Sequence, residues 1–254
     1  RHGIVRRYRD YAATRPVEAE TAAVALMIRL ASEYRAAVHI VHVSSGAAAR
    51  MIASARASGV SVSGETCPHY LTFAAEEIAD GMTAFKCAPP IREAAEREAL
   101  WTALDAAALQ LIVSDHSPSP SALKSTETGD LMSAWGGISS LQVSLPAVWA
   151  AARARGVGVD RVVQWMATGP ADFVRLSRKG RIAVGCDADF VFFDPDASWT
   201  VDAAKLEHRH PITPYHGLTL AGRVRATYLR GELIYDGHGF PSLPHGRLLH
   251  RNEA

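Results

Sequence analysis

Helical segments alternate with short apolar strands over the first half of this 254-residue sequence. Residues 16–36, 46–59 and 93–108 carry strong helix formers, with Pro16 opening the first segment and Gly59 closing the second. Between them, the runs "VHIVHV", "VSVSGET" and "LQLIV" predict strands. Such alternation is typical of α/β proteins, because each helix carries the chain across to the next strand of a parallel sheet.

The pattern changes at Gly180. Before it, about three strands of parallel type are visible, which is too few to close an eight-stranded barrel. After it, short β-rich runs such as "DFVFFD" and "GELIYDG" are broken by Gly, Asp and Pro, with little helical periodicity. We therefore expect an α/β unit over residues 1–179 and a small β unit over 180–254.

Charge, hydrophobicity and cysteine content argue against a nucleic-acid-binding, membrane-spanning or disulfide-stabilised protein. The net charge of +1 gives no electrostatic case for binding nucleic acid or an anionic membrane. No apolar run reaches the roughly 20 residues that a membrane helix needs. Three cysteines without paired close spacing indicate a reducing compartment, and the cytoplasm is the expectation. The chain begins with "RHGIVRRY" and no initiator methionine, so we expect it to start partway into a larger protein.

Two side chains at the ends of predicted strands are candidates for a metal site. His42 closes "VHIVH" and Asp115 follows "LQLIVS", so both would lie at the carboxyl edge of the sheet. Imidazole with carboxylate suits zinc or a similar divalent ion. The alternatives remain open: a histidine satisfied by a nearby carbonyl, and an aspartate that caps the next turn. His39 precedes His42 by three residues and would face the other side of the strand, which makes it the weaker candidate.

Other candidates carry weaker signals. His208 and His210 have an H-x-H spacing but fall among prolines in the β-rich tail, where a surface or interdomain loop is the better interpretation. His69 in "CPHY" is either a supporting residue of the site or a structural one. Cys67 and Cys87 are interpreted as structural, because no activating base accompanies them. The sequence contains no Walker, dinucleotide or G-x-S-x-G motif.

Seven motifs occur in an order that resembles the allantoinases. They are "HIVHVSS", "ETCPHYLTF", "FKCAPPIR", "VSDHSP", "AWGGISSLQ", "KGRIAVGCDADFVFFDPD" and "PITPYHG…LRGELIYD". The allantoinases are cyclic amidohydrolases, as are the hydantoinases, dihydropyrimidinases and dihydroorotases. The resemblance covers nearly the whole chain, and the motifs in its middle are more specific than the tail, which many amidohydrolases share.

The resemblance implies a (β/α)8 metal-dependent hydrolase barrel, followed by a small β-sandwich portion. It also implies a binuclear Zn²⁺ centre bridged by a carboxylated lysine, although other divalent metals suit the same ligands. His42 matches the sixth-strand histidine and Asp115 the eighth-strand aspartate. The other ligands belong to strands upstream of this chain, which resembles the C-terminal part of the barrel and lacks about five strands. As it stands, the chain is expected to be inactive.

The resemblance also implies a reaction and a substrate. The complete protein would hydrolyse allantoin to allantoate, with Asp115 moving a proton from the attacking water to the departing nitrogen. Backbone groups near Ala88 and Gly136 match loop positions that grip the cyclic amide in relatives, and His116 would steady either the substrate or the aspartate. Hydantoinase or dihydropyrimidinase activity is the alternative, and a non-catalytic scaffold of the same fold is an alternative of another class. A homo-oligomer, commonly a homotetramer, is implied as the assembly.

Overall fold

A parallel three-stranded sheet forms the centre of the first half of the chain. The computed structural model describes residues 3–241 and 243–249. Its first sheet has the order β1 (Val38–Ile40), β2 (Val62–Thr66) and β3 (Leu111–Ile112). Val38 pairs with Val62, and Thr66 with Ile112. The predicted parallel pairing is confirmed, although each strand is shorter than its apolar run.

Helices connect these strands in the way that the sequence predicts. The helices of this part are α1 (Tyr8–Ala13), α2 (Val17–Tyr34), α3 (Gly46–Ala57), α4 (Pro68–Thr72) and α5 (Ala94–Asp105). Helix α3 begins where the Ser45 side chain accepts a hydrogen bond from the Ala48 amide, and the chain leaves it through Gly59 at φ +86°. It packs on the sheet at Gly64, where an added Cβ would lie 2.9 Å from Ile52 Cδ1. A glycine there allows the close approach of helix and strand.

Helix α1 was not predicted, and its two tyrosines explain why it forms. Tyr8 and Tyr11 are fully buried. The Tyr11 hydroxyl donates a hydrogen bond of 2.7 Å to the Cys87 carbonyl, and the Tyr8 hydroxyl accepts one of 2.9 Å from the Ile91 amide. This six-residue helix is therefore stabilised by its contacts with the loop at residues 85–91 rather than by its own length.

An antiparallel three-stranded sheet lies in the second half of the chain. It consists of β4 (Phe190–Thr200), β5 (Thr219–Leu229) and β6 (Glu232–Tyr235) in that order. The helices that precede it are α6 (Ser144–Arg153), α7 (Val159–Val163) and α8 (Gly169–Phe173). A π-helical turn at Gln164–Thr168 joins α7 to α8. Trp149 packs edge-on against Phe193, and its indole nitrogen donates to the Pro195 carbonyl.

The chain divides by its contacts into two units whose boundary differs from the predicted one. The first unit extends to Ser144 and also includes Asp202–Gly217. The second comprises Leu145–Val201 and the described residues from Leu218 onward. The predicted boundary at residue 179 thus lies inside the second unit, and residues 242 and 250–254 of the predicted β unit lie outside the described residues. Within the described part, none of the helices is both long enough and apolar enough to cross a membrane.

Candidate metal and substrate site

His42 and Asp115 both follow strands of the parallel sheet, and both have unusual backbone angles. Strand β1 ends at Ile40 and β3 at Ile112, so each residue lies in the loop just beyond its strand. His42 has φ +41° and Asp115 φ +44°. Residues other than glycine adopt positive φ at a cost in free energy, and such residues cluster at functional sites. Both candidates lie at the expected edge of the sheet.

Hydrogen bonds from neighbouring segments fix these two loops. On one side of His42, the Val43 amide donates to the Glu65 carbonyl at 2.8 Å, and the Thr66 hydroxyl donates to the Val43 carbonyl at 2.8 Å. On the two sides of Asp115, the Ser114 carbonyl accepts from the Ser140 hydroxyl at 2.7 Å, and the Ser117 amide donates to the Ile138 carbonyl at 2.9 Å. The positive φ angles are therefore held by contacts remote in sequence.

Asp115 forms a compact group with Cys67 and His69. One potential ligand atom from each lies within 4.8 Å of the others, which is close enough to bind one metal ion. Helix α4 produces this arrangement, because Cys67 is its N-cap and His69 lies in its first turn. Among the described residues this is the one such group, and His42 lies outside it. His42 nevertheless affects the pKa of both Asp115 and His69 electrostatically, so it is a close neighbour.

The buried imidazole of His69 fits a metal ligand. The residue is fully buried, and neither ring nitrogen has a hydrogen-bond partner among the described residues. Burial, with smaller contributions from His42 and Lys124, lowers the pKa of His69 to about 3. The ring is therefore neutral at pH 7 with a free lone pair, which is the form that binds metals. A buried polar group without a partner is costly, and coordination would satisfy it.

The other groups around Asp115 favour a cation as well. The pKa of Asp115 is raised overall. Burial is the main cause, His42 opposes it and Glu65 adds to it. Burial also raises the pKa of Cys67 well above its usual range, and Asp115 and Glu65 raise it further. The charges of a thiolate and two carboxylates would accumulate in one place, and a divalent cation would offset them. Imidazole, carboxylate and thiol donors together suit zinc, so the residues present fit the metal that the resemblance implies.

Glu65 is held by His39 rather than by the candidate ligands. On β1 and β2, His39 Nε2 lies 2.9 Å from Glu65 Oε2, and His39 Nδ1 lies 2.7 Å from Ser63 Oγ. His39 is thus engaged in the sheet, as expected of the weaker candidate. Sequence analysis did not single out Glu65, whose carboxylate acts on Asp115 electrostatically.

His116 accepts hydrogen bonds from the backbone amides of two residues that lie about 25 positions later in the sequence. Its Nδ1 lies 3.0 Å from the Ser140 amide and 3.1 Å from the Leu141 amide. Two donors at Nδ1 require a lone pair there, so the proton of the neutral ring is on Nε2. Burial lowers the pKa of His116, and His208 lowers it further. His116 is therefore a neutral ring whose orientation is fixed by the backbone.

His208 lies in a loop beside this site. Its ring centroid is 5.5 Å from that of His116, and its Nδ1 is 3.0 Å from the His210 carbonyl oxygen. Residues 207–210 form no strand, so the H-x-H spacing does not place both imidazoles on one face. The segment Asp202–Gly217, which carries both histidines, folds with the first unit.

Ala88 and Gly136 lie on two neighbouring exposed loops. A Cβ built on Gly136 would lie 3.9 Å from the Ala88 amide nitrogen. Gly137, next to it, has its amide bonded to the Lys86 carbonyl at 3.0 Å. The structure thus brings together the two backbone segments that the resemblance implies for substrate contact, with neither side chain able to add a polar group.

Sequence reasoning interpreted Cys67 as structural and left His69 undecided. A usable signal existed, since "CPH" directly follows the strand that lies between those of His42 and Asp115. Residues that follow a central strand lie close to those that follow both of its neighbours.

Comparisons with known proteins identify relatives of this chain. The sequence pattern described as "Amidohydrolase family" matches residues 18–234. An allantoinase of Streptomyces avermitilis is 50% identical over 96% of this chain and 54% of its own length. An allantoinase of Arabidopsis thaliana is 41% identical over 91% of this chain and 47% of its own. The chain thus spans about half the length of the curated relatives it matches.

Solved structures give the same fold. The L-hydantoinase (dihydropyrimidinase) from Arthrobacter aurescens superposes with a TM-score of 0.86 at 27% identity, over 93% of this chain and 53% of its own. The dihydropyrimidinase from Brevibacillus agri NCHU1002 gives a TM-score of 0.83 at 30% identity, over 93% and 52%. Since the family pattern covers most of the sequence, the chain belongs to the amidohydrolase family.

Proposed function

We propose that the protein carrying this chain is a zinc-dependent hydrolase of a cyclic ureide and that allantoin is its substrate. One observation carries the proposal. At the carboxyl edge of a parallel sheet, a carboxylate oxygen of Asp115 lies within 4.8 Å of an imidazole nitrogen of His69, and His42 lowers the pKa of Asp115 electrostatically. The 50% identity to an allantoinase supports the choice of substrate. Hydrolysis would add water across a carbonyl–nitrogen bond of the ring and give allantoate.

The fold of the complete protein is part of the proposal. We assign β1, β2 and β3 to the last three strands of a (β/α)8 barrel, with residues 1–179 as its partial barrel and 180–254 as a portion of a β-sandwich. Upstream strands would supply the ligands that complete a binuclear centre.

Free thiols at Cys67, Cys87 and Cys186 support a cytoplasmic setting. A homo-oligomer, on the strength of the resemblance, is the proposed assembly.

His42 and Asp115 would hold the metal, and His69 and Cys67 lie within reach of the same position as Asp115. When bound, a divalent ion makes water a nucleophile at neutral pH and polarises a carbonyl. Asp115 would accept the proton of the attacking water on a carboxylate oxygen and deliver it to the departing ring nitrogen. Burial and Glu65 raise the pKa of Asp115, which makes its carboxylate a better proton acceptor.

Ala88, Gly136 and His116 would orient the substrate. Ala88 and Gly136 are exposed, so their backbone amide and carbonyl groups are available to a planar cyclic amide. The Nδ1 atom of His116 is already occupied by two amides. Its Nε2–H is the group left to donate to a ring oxygen. Recognition would thus depend on one imidazole and on backbone groups.

A substrate panel tests the proposed activity. The full-length protein, supplied with zinc, would be assayed with allantoin, hydantoin and dihydrouracil under the same conditions. We expect the highest kcat/KM with allantoin. The solved structures named hydantoinase and dihydropyrimidinase favour the alternative substrates. A higher kcat/KM with hydantoin or dihydrouracil would replace allantoinase activity with that alternative.

A further inference from the structure

Two buried lysines lie beneath the Ala88 and Gly136 loops and have no role in the proposed chemistry. Lys86 and Lys124 are 6% and 3% exposed. Lysines are almost never buried to this extent without a partner. No ion pair of either lysine is found among the described residues, and their ammonium groups are bonded to backbone carbonyls instead.

Lys124 joins the two loops directly. Its Nζ donates to the Lys86 carbonyl at 2.9 Å and to the Trp135 carbonyl at 3.0 Å. Lys86 is two residues before Ala88, and Trp135 is the residue before Gly136. One ammonium group therefore links the two candidate substrate-contacting segments.

Lys86 strengthens the same connection from the opposite side. Its Nζ donates to the Met132 carbonyl at 3.0 Å and also to the Ala134 carbonyl. Its ammonium lies 5.4 Å from the centre of the Tyr11 ring. The same tyrosine bonds the Cys87 carbonyl, so helix α1 supports both the lysine and the loop that carries it.

The connected loops reach the segment that carries Asp115. The Gly137 amide bonds the Lys86 carbonyl, and an added Cβ on Gly137 would lie 2.4 Å from Ser117 Oγ. Ser117 is two residues after Asp115 and bonds the Ile138 carbonyl at 2.9 Å. A continuous set of contacts thus runs from Lys86 through Gly137 to the loop of Asp115.

We propose that Lys124 is a positioning residue that sets the distance between the Ala88 and Gly136 segments and thereby the fit of the cyclic substrate. The inference rests on the proposed function for its substrate, and on the contacts above for its geometry. Hydrogen bonds from a charged donor are among the stronger ones. Their loss would leave the Trp135 carbonyl without this donor and the Lys86 carbonyl with the Gly137 amide alone. The loops would then separate, although none of the groups that hold metal or move protons would be removed.

Kinetics of Lys124→Met in the full-length protein test this proposal. Methionine keeps an unbranched side chain that is one atom shorter than lysine and lacks the ammonium donor. We expect KM for allantoin to rise about tenfold, equivalent to about 1.4 kcal/mol, with a smaller change in kcat and an unchanged zinc content. The control is Lys205→Met, whose lysine side chain is 82% exposed. A KM that rises less than about threefold, or a fall in kcat alone, would overturn the proposal.

Hydrogen exchange gives a readout that does not need activity. Peptides covering residues 84–90 and 133–140 should exchange faster in Lys124→Met than in the parent, while peptides from β4 and β5 should not change. Unchanged exchange in the loop peptides would refute the geometry even if allantoin is hydrolysed. If the loop peptides exchange faster in Lys124→Met but the parent protein does not hydrolyse allantoin, the proposed substrate is refuted and the geometry stands. Should Lys124→Met not fold, Lys86→Met, which loses the Met132 and Ala134 contacts, is tested in the same way.

Discussion

Asp115 combines three properties at the scale of a single residue. Its φ is +44°, its carboxylate lies within 4.8 Å of a thiol and an imidazole, and Glu65 opposes its ionisation. An asparagine or glycine would adopt this backbone angle more easily. The use of aspartate there indicates that the carboxylate, rather than the turn, determines the residue.

His116→Ala should destabilise the protein, because the Ser140 and Leu141 amides lose their common acceptor. Ser140 is buried, so water cannot readily replace the lost bond. We expect the free energy of unfolding in urea to fall by about 1–3 kcal/mol. His116→Asn retains a side-chain oxygen near the position of Nδ1 and should recover part of the loss. Equal stability of the alanine variant and the parent would contradict this account.

At the scale of elements, the segment from residue 134 to 140 connects most of the site. It bonds Lys86, Lys124, Ser114, His116 and Ser117 through its backbone or the Ser140 side chain. The close contact at Gly137 is what allows it to lie against the loop of Asp115.

Gly137→Ala tests that contact. The new Cβ would lie 2.4 Å from Ser117 Oγ and 2.8 Å from the Ser117 carbonyl oxygen, so one segment must move. We expect a loss of about 1–3 kcal/mol in the free energy of unfolding, typical of overpacking. The control, Gly239→Ala, places its Cβ in open space and should have a smaller effect. If both variants unfold at the same urea concentration, the contact is not as tight as described.

Local sequence patterns predicted the helices and strands better than they predicted which residues lie near Asp115. Helix α3 begins at the Ser45 cap and is followed by Gly59, as its sequence indicates, because caps act within one turn. The neighbours of Asp115 depend instead on strand order and on helix α4, and the position of His208 depends on a segment that returns to the first unit. His42 and Asp115 could be selected from strand ends alone, but their positive φ angles arise from distant hydrogen bonds.

For the whole molecule, the buried Lys124 predicts a pH dependence of stability. Burial, with Lys86 adding to it and Cys87 opposing it, lowers the pKa of Lys124 from 10.5 to about 8. Between these values the unfolded chain binds more protons than the folded one, so stability contributed by this group rises with pH from about 8 to 10.5. Below pH 8 both states are protonated, and the contribution has no slope.

Comparison of the parent with Lys124→Met isolates this effect from other titrations. The difference in the free energy of unfolding, parent minus variant, should rise by up to about 1.4 kcal/mol per pH unit between pH 8 and 10.5. It should stay constant between pH 6.5 and 7.5. If the difference in the free energy of unfolding does not change with pH in either range, Lys124 has the same pKa in the folded and unfolded states, which would contradict this prediction.

The central claim is that a divalent metal at Asp115 and His42 performs hydrolysis. Its most direct test is zinc content, by mass spectrometry, measured with allantoin turnover in the full-length protein before and after chelation. We expect chelation to abolish turnover and zinc to restore it in the parent and in His210→Ala. His42→Ala and Asp115→Asn should bind less zinc, with kcat reduced at least about 100-fold. Turnover that persists in the chelated parent, or full zinc content and activity in both site variants, would contradict the account.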